Sequence, residues 1–580
     1  MKFVTTIQLL FFTCFLFSYN AYAQTYPCEK PKSFNKTLSK VSSKLLNINN
    51  VSTRFYNDSQ SDISPTGQSG FEFPKGSGKT TVFQSGLLWG AKVNNVIQVG
   101  GSVYRSGMTP GRIFKDGSVE NPTAANVRVY RVRPDYKTND LLTEQSLGEG
   151  TVDEIRAQYE KDWNEWPVSD GAPFIDKNGN RIYEPTIDIP GYENADQTLW
   201  HVANDLNASA VNYFIGSQPI GVEEQVTAWA YKSNSDYLNN TIFRKYKLIN
   251  KSSNTFINMY INLFSDLELG STPDKYAVDL CGSDSLLNLG FDYYAANYVN
   301  GQYGSNPPSV GFVLLQGPVV TGITTDQAIF DGRKISGKLN LQMTAFFHFY
   351  CGDTTFVCPA QGVYDKGTLA WYNYFQGIEG LKNRPFRLPS QLGGAVTKYT
   401  LSGDPLTGSG WVDGVYRHEG DRYINIVSGP FDMAPGDTQE VVFAEVAAQG
   451  QDRLDAVKVL KEYAASLSLD YKDSLYLHQI TTDVEETRSV PTQFSLYQNY
   501  PNPFNPSTTI SYDLPTAGFV SLKIYDFLGR EIKTLVDDYQ QPGSYHKTFS
   551  TSELNLSSGV YFYRLSSNDF LQIKKMLLIK

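Results

Sequence analysis

The sequence has few of the residues that most often carry catalysis. Its 580 residues include five cysteines and five histidines. No HExxH pair, GxSxG elbow or Walker-type phosphate loop occurs, and no His or Cys lies at zinc-ligand spacing around the cysteines. Metalloprotease, serine-hydrolase and nucleotide-hydrolase functions therefore lack a supporting motif. The histidines stand singly, at His201, His348, His418, His478 and His546.

Basic charge and long apolar runs are also scarce. The chain has 50 Lys and Arg against 59 Asp and Glu, for a net charge of −9. A nucleic-acid binder needs a basic face to neutralise phosphates, so no nucleic-acid partner is expected. No segment offers the ~18 consecutive apolar residues of a membrane-spanning helix. The 41% hydrophobic and 14% aromatic content can nevertheless bury sizeable cores.

Residues 1–23 are predicted to be a cleavable signal peptide. Lys2 precedes the apolar run Leu9–Phe17, and Ala21–Ala23 forms a small-x-small cleavage pattern. The run is too short to span the ~30 Å hydrocarbon core of a bilayer, and its flanks are typical of secretion. This predicts export with signal peptidase as a partner; the alternative is an uncleaved anchor or a buried helix.

Four cysteines remain after that cleavage: Cys28, Cys281, Cys351 and Cys358. In an exported protein four cysteines permit disulfides, with three possible connectivities. Cys351 and Cys358 are near enough in sequence to close a hairpin, and Cys28 with Cys281 would follow by elimination. The alternative is unpaired thiols.

The last hundred residues differ from the rest of the chain. Residues 481–490 are polar and aperiodic, which predicts a linker. From residue 491 to residue 580 short alternating runs recur with a turn about every ten residues, which predicts seven strands. Seven short strands are typical of a small Ig-like β-sandwich.

Four ordered blocks of this tail carry a family resemblance: Asn499–Pro506, Ile524–Arg530, Ser558–Tyr563 and Lys575–Lys580. The tail resembles the type A C-terminal sorting domain of the type IX (Por) secretion system. The matching sorting-signal residues are Asn502, Pro503, Phe504, Asn505, Pro506, Gly529, Gly559, Tyr561, Lys575 and Lys580.

The resemblance implies a route and partners. A type IX cargo passes through the periplasm and crosses the outer membrane of a Gram-negative bacterium. Its partners are the type IX translocon and the machinery that processes the C-terminal signal. Removal of this domain, followed by release or by attachment to a surface glycan or lipopolysaccharide, is what the family implies.

The body, residues 24–480, is predicted to be a large, mainly β, sandwich-type unit with few helices, either whole or as two subdomains. Asn94-Asn95 predicts a tight hairpin turn. Apolar and polar residues alternate over Ile257–Leu263, which predicts a half-solvated strand. Thr151–Glu154 has the sequence of a helix capping box, and apolar spacing over Leu454–Tyr471 predicts an amphipathic helix.

The body also resembles a recurrent module of secreted proteins that bear this tail. The segments that carry the resemblance are Trp163–Pro167, Gly171–Pro173, Ala195–Trp200 and Met433–Asp437. No activity is established for that module, so this resemblance assigns no catalytic residue.

A calcium site is predicted at Asp176, Asn178, Asn180 and Glu184. Oxygen-bearing side chains at alternate positions can wrap a hard cation, and Asp170, Asp188 or Glu193 could complete the site. The loop departs from an EF-hand because its glycine stands fourth rather than sixth. The alternative is an Asx- and Gly-rich turn that needs no ion.

Two further groups could support function. The acidic residues Asp266, Glu268, Asp274, Asp279 and Asp284 could supply a carboxylate pair for glycoside hydrolysis, or form a solvated loop or cation site. The clustered rings could stack on sugars or fill the space between sheets; they are Phe291, Tyr293, Tyr294, Tyr298 and Tyr303.

Without a catalytic motif, we expect a secreted or surface-displayed binding, adhesive or structural protein. The alternatives are an exported hydrolase and a carbohydrate-binding protein without turnover. No catalytic residue is assigned.

Overall fold

The computed structural model describes residues 41–475 and 493–580, apart from 105, 270–278, 296–301, 351–354, 417, 528, 541, 552–553, 555, 568–569 and 580. The predicted signal peptide, Cys28, Cys351 and the predicted linker lie outside these residues. The chain divides into two compact units, Met1–Thr482 and Asp483–Lys580. Within the described part, no helix is long and apolar enough to cross a membrane.

The body is built mainly from strands. In chain order these are β1 (Ser43–Leu46), β2 (Thr53–Tyr56), β3 (Phe71–Glu72), β4 (Thr80–Val93), β5 (Val96–Gly101), β6 (Thr109–Pro110), β7 (Tyr130–Val132), β8 (Phe174–Ile175), β9 (Ile189–Pro190), β10 (Gln197–Asn204), β11 (Val222–Ala230), β12 (Thr241–Asn250), β13 (Phe256–Leu267), β14 (Asp279–Asp284), β15 (Leu289–Tyr294), β16 (Ser309–Gln316), β17 (Val319–Thr321), β18 (Gln327–Phe330), β19 (Arg333–Ser336), β20 (Lys338–Asn340), β21 (Ala345–Tyr350), β22 (Arg422–Met433) and β23 (Thr438–Ala448). The α-helices described are Leu142–Ser146, Val152–Asn164, Ala208–Ile215, Asp236–Asn239, Leu369–Phe375 and Arg453–Asp470.

Two antiparallel sheets form the centre of the body. The larger sheet has the order β14-β15-β16-β23-β12-β11-β10-β6, with β7 also paired to β10. The smaller has the order β21-β22-β13-β4-β3, with β5 also paired to β4. Their apolar faces belong to one hydrophobic core. The sheets approach closely at Gly290 of β15, where an added Cβ would lie 2.6 Å from a ring carbon of Phe346 on β21.

The strand predicted to be half-solvated is buried instead. Residues 259–267 of β13 are buried on both faces, and Asn262 donates a hydrogen bond to Asn425 of β22 at 2.8 Å. The helix Leu369–Phe375 contacts β13 and β4, and its Trp371 ring packs edge-on against Phe264. The sequence pattern misled because the two asparagine side chains bond to each other inside the protein rather than facing water.

Local signals were more reliable. Asn94 and Asn95 have φ of 50° and 63° at the tip of the β4–β5 hairpin, as their turn requires. Thr151 and Glu154 form the predicted capping box at the start of Val152–Asn164. The helix Arg453–Asp470 buries Val457, Leu460, Ala464 and Leu467 and packs on β15, β16 and β23.

The second unit contains seven described strands around its own core. One sheet has the order β24-β25-β28 and the other β27-β26-β29-β30, which confirms the predicted small β-sandwich. The strands are β24 (Ser495–Leu496), β25 (Ser507–Leu514), β26 (Gly518–Tyr525), β27 (Glu531–Gln540), β28 (Gly543–Ser550), β29 (Gly559–Ser567) and β30 (Phe570–Leu578).

Candidate functional site

The Pro-rich block of the tail is joined to the last strand. Phe504 is 2% exposed, and its N–H donates to the carbonyl oxygen of Leu577 at 2.9 Å. The Ile579 N–H returns a bond to the Phe504 carbonyl at 3.0 Å. Asn502 Oδ1 accepts the Leu577 N–H at 2.8 Å. The first and last blocks of the predicted signal therefore form one structural element.

A buried tyrosine links the same block to β29. The Tyr563 hydroxyl accepts the Asn499 N–H and donates to the Tyr497 carbonyl, each at 2.7 Å. Burial raises the pKa of Tyr563 to about 12, so the hydroxyl keeps its proton at neutral pH. Asn499 also donates from Nδ2 to the Thr508 hydroxyl at 2.9 Å. These bonds fix the path of the chain into the Pro-rich block.

The other predicted sorting residues lie at turns and edges. Gly529 has φ of +79° in the turn between β26 and β27, where a side chain would be strained. Asp526 closes this turn by accepting the Arg530 N–H and Nε–H at 2.9 and 2.6 Å. Pro503 and Pro506 follow cis peptide bonds, and Asn505 and Lys575 are exposed. Gly559 begins β29, and the Tyr561 hydroxyl donates a hydrogen bond to the Ser557 carbonyl. Lys580 lies outside the described residues.

The predicted calcium loop is a network of internal hydrogen bonds. Asn178 and Asn180 each donate from Nδ2 to Glu184 Oε2 at 2.7 Å. The two oxygens of Asp176, a buried residue, accept backbone N–H groups of the loop at 2.7 and 2.6 Å. The four predicted residues are therefore brought together. These bonds also suit a turn without an ion, and calcium stays a prediction.

Asp188, one of the acids that could complete the predicted site, is hydrogen-bonded to the backbone of the loop. Its oxygens accept the Lys177 N–H at 2.9 Å and the Glu184 N–H at 2.7 Å. Asp170 instead forms an ion pair with Arg112. Asp188 thus ties the two ends of the loop together.

An acidic cluster, defined here as Asp266, Glu268 and Asp421, lies where β13 ends and β22 begins. One carboxylate oxygen from each residue lies within 4.8 Å of the others. Asp266 is fully buried, whereas Glu268 and Asp421 are partly exposed. The first two were predicted as candidates. Asp421 was not, because only the antiparallel pairing of Asp266 with Tyr423 brings it near.

Two tyrosines donate hydrogen bonds to the acidic cluster. The Tyr104 hydroxyl donates to Asp266 Oδ2, and the Tyr423 hydroxyl donates to Asp421 Oδ2, both at 2.7 Å. The two rings stand edge to face with centroids 5.9 Å apart. Burial, then the charge of Asp266, raises the pKa of Tyr104 well above 10. Both hydroxyls are hydrogen-bond donors to carboxylates of the cluster.

The rest of the predicted acidic group does not join this cluster. Asp284 forms an ion pair with Lys461 at 3.2 Å, and Asp274 lies outside the described residues. Asp279 of β14 pairs with Tyr294 of β15 and is therefore two register positions from the buried Asp292. Burial, then the charge of Asp279, raises the pKa of Asp292 well above its usual range.

The predicted sugar-stacking rings are core residues. Phe291, Tyr293, Tyr294 and Tyr303 are 0%, 1%, 2% and 7% exposed, and Tyr298 lies outside the described residues. The first three belong to β15, whose residues are all buried. Since a sugar needs an accessible ring face, the burial of these four rings fits the alternative that they fill the interior of the protein and not the stacking role.

The structure corrects one of the two predicted disulfides. Cys281 is a free, buried thiol, contrary to its predicted disulfide with Cys28. It lies on β14 in the core, where burial raises the pKa of its thiol and covers it on all sides. Cys358 is disulfide-bonded. Because Cys351 is outside the described residues, the Cys351–Cys358 pairing stays a prediction.

The interior holds ionisable groups that the sequence did not reveal. Arg244 of β12 is fully buried and forms ion pairs with Asp62 and Glu445. Glu224 of β11 is 0% exposed, and burial raises its pKa to about 8, offset only in part by the Ser59 hydroxyl. Such groups stabilise or destabilise the core but cannot reach a substrate from outside.

Two of the histidines, His201 and His348, lie in buried structural positions. Burial lowers the pKa of His201 to about 3, so its imidazole is neutral at physiological pH. His348 is fully buried on β21, with Nδ1 3.0 Å from the Thr400 hydroxyl. The sequence interpretation of His348 as a core residue agrees with this position.

Comparison with known proteins identifies the tail. Residues 498–580 match the family of secretion system C-terminal sorting domains, which confirms the predicted type IX sorting domain. No curated protein matches the chain.

Two solved structures share local similarity with the chain. A polysaccharide lyase is 7% identical over 62% of this chain and 34% of its own, with a TM-score of 0.17. Dimeric latent PorU from Porphyromonas gingivalis is 12% identical over 66% of this chain and 31% of its own, with a TM-score of 0.14. The chain spans about a third of the length of each, and scores this low do not establish a common fold.

Proposed function

We propose that this chain, which ends in a type IX sorting domain, is an exported protein whose body binds a ligand or a surface without catalysing a reaction. The tail indicates secretion through the type IX system to the cell surface or the medium. The joining of Phe504 to β30 supports the tail's role, because one folded element displays both ends of the signal.

Export can be tested with the tail as the only variable. We expect the full chain to reach the exterior of a bacterium with a type IX system, and deletion of residues 491–580 to leave it in the periplasm. Phe504→Ala should reduce export because it removes a buried anchor of the Pro-rich block. Phe519→Ala is the matched control, since Phe519 is 59% exposed in the same domain. Export of the deleted chain would contradict the proposal.

The burial of Asp266 in the acidic cluster opposes glycoside hydrolysis there. In retaining glycosidases the two carboxyl groups stand about 5–5.5 Å apart, and in inverting ones about 6.5–9.5 Å. The closest oxygens of the cluster lie within 4.8 Å of one another, which is compatible with the shorter of these separations. Asp266, however, is fully buried, so the scissile bond of a substrate cannot reach its carboxylate in this structure.

A hydrolase is the second candidate, because the cluster does gather three carboxylates at the end of a sheet. It is tested by incubating the full chain with a panel of polysaccharides and peptides. Turnover that disappears in Asp266→Asn or Glu268→Gln, but not in the exposed control Glu462→Gln, would replace the binding proposal. We expect no turnover in any of the four proteins.

A further inference from the structure

A polar groove lies on the body, between the paired strands β17 and β20 and the adjoining ends of β22 and β23. Its volume is about 460 Å³, within the ~300–1,000 Å³ range of small-ligand sites. The side chains that face it include Asn258, Thr321, Lys338, Asp432 and Asp437. The lining residues include none of the acidic residues and rings that were considered as candidates for function.

One wall of the groove is fixed by a double hydrogen bond. Gln439 Oε1 accepts the Val319 N–H at 2.8 Å, and Gln439 Nε2 donates to the Val319 carbonyl at 3.1 Å. This clamp holds the β17–β20 strand pair to β23. The pair therefore presents Thr321 and Lys338 at a set distance from the sheet.

The opposite wall is fixed through Asn258. Its N–H donates to Asp432 Oδ1 at 2.8 Å, and its carbonyl accepts the Tyr372 hydroxyl at 2.9 Å. Asn258 has φ of +49° where the register of β13 and β22 shifts, and a bulge of this kind re-aims side chains. Pre-set walls reduce the ordering cost of binding.

The lining chemistry selects the ligand. Asp432 and Asp437 each use one carboxylate oxygen for a backbone N–H and keep a second acceptor oxygen. Lys338 adds an ammonium donor that is 3.4 Å from the Thr321 hydroxyl, and Asn258 adds an amide. Such a surface suits a ligand with many hydroxyl groups, which can donate and accept at once, rather than an apolar one.

We propose that this groove binds a short saccharide, with its hydroxyl groups held by Asp432, Asp437 and Lys338. The inference rests on the proposed binding role of the body and names its ligand class. It places sugar recognition away from the buried rings of β15, on side chains that solvent reaches.

The test uses the full mature chain on an array of glucose-, galactose-, mannose- and N-acetylhexosamine-terminated oligosaccharides, followed by calorimetric titration of the strongest binder. Thr321→Trp should fill the groove and abolish binding, whereas the exposed neighbour control Thr324→Trp should leave it unchanged. Asp432→Asn with Asp437→Asn keeps the acceptors for the backbone N–H groups, and should weaken binding at least about tenfold by removing charge-assisted bonds.

Each result decides one question. Saccharide binding that survives Thr321→Trp would overturn the groove assignment, and an array with no bound saccharide would overturn the ligand class. In either case adhesion of the full chain to whole cells or envelope fractions would still support a binding body, so the two proposals fail separately. Circular dichroism confirms that each variant is folded.

Discussion

Glu224 gives the body a pH-dependent stability that one substitution should remove. Its carboxyl group is 0% exposed on β11, and burial raises its pKa from 4.5 to about 8. Below pH 4.5 the group is protonated in both the folded and unfolded states. Between pH 4.5 and 8 the folded state holds a proton that the unfolded state has lost, so stability falls as the pH rises.

The size of this effect follows from the pKa difference. Each pH unit between these limits costs about 1.4 kcal/mol of folding free energy. At pH 7 the penalty is therefore about 3 kcal/mol, and it levels off above pH 8. Glu224→Gln mimics the protonated side chain, so the variant should match the natural protein near pH 4.5 and be more stable at pH 7.

Urea unfolding at pH 5, 6, 7 and 8 measures the difference. All seven tryptophans precede residue 412, so their fluorescence reports on the body and not on the sorting domain. Asp58 and Asp205, whose pKa values burial raises to about 6, affect both proteins equally and cancel. Glu462→Gln controls for loss of one negative charge at an exposed site. Parallel stability curves for Glu224→Gln and the natural protein would refute the reasoning.

Two further predictions concern the buried Arg244 and the predicted calcium loop. Arg244→Ala should lower the free energy of unfolding by about 3–5 kcal/mol, because it removes the cation that pairs with two buried carboxylates. The control Arg333→Ala, at an exposed site, should change that free energy by less than about 0.5 kcal/mol. Chemical denaturation of both variants measures the difference. Calcium should raise the melting temperature of the natural protein but not that of the Asp176→Asn, Glu184→Gln double variant. If calcium titration releases no heat and does not change the melting temperature, the loop does not bind the ion.

Features set by neighbours in sequence could be predicted. The Asn94-Asn95 turn depends on two residues that tolerate positive φ, and the Thr151 cap depends on a hydroxyl and a carboxylate three residues apart. The burial of Asn262 could not be predicted from the sequence, because its hydrogen-bond partner Asn425 is 163 residues away. An alternating pattern cannot distinguish a polar face in water from one paired inside a core.

The candidate sites divide in the same way. Asp266 and Glu268 are two residues apart and were visible as a pair, but Asp421 enters only through the pairing of β13 with β22. The groove was invisible, since its walls come from β13, β17, β20, β22 and β23. The order of the rings in sequence left open whether they are exposed or internal, whereas β15 buries Phe291 and Tyr293 on the side of the helix Arg453–Asp470.

The sorting domain shows why a signal can be readable in sequence and still require a fold. Its four blocks are local, so each can be recognised by its residues. The first block makes its hydrogen bonds to Leu577 and Ile579 only when β30 is present. A chain that stops before β30 therefore loses the partner of Phe504 as well as the final block, and the two ends of the signal fail together. Completion of the chain is thus a structural precondition for displaying the whole signal.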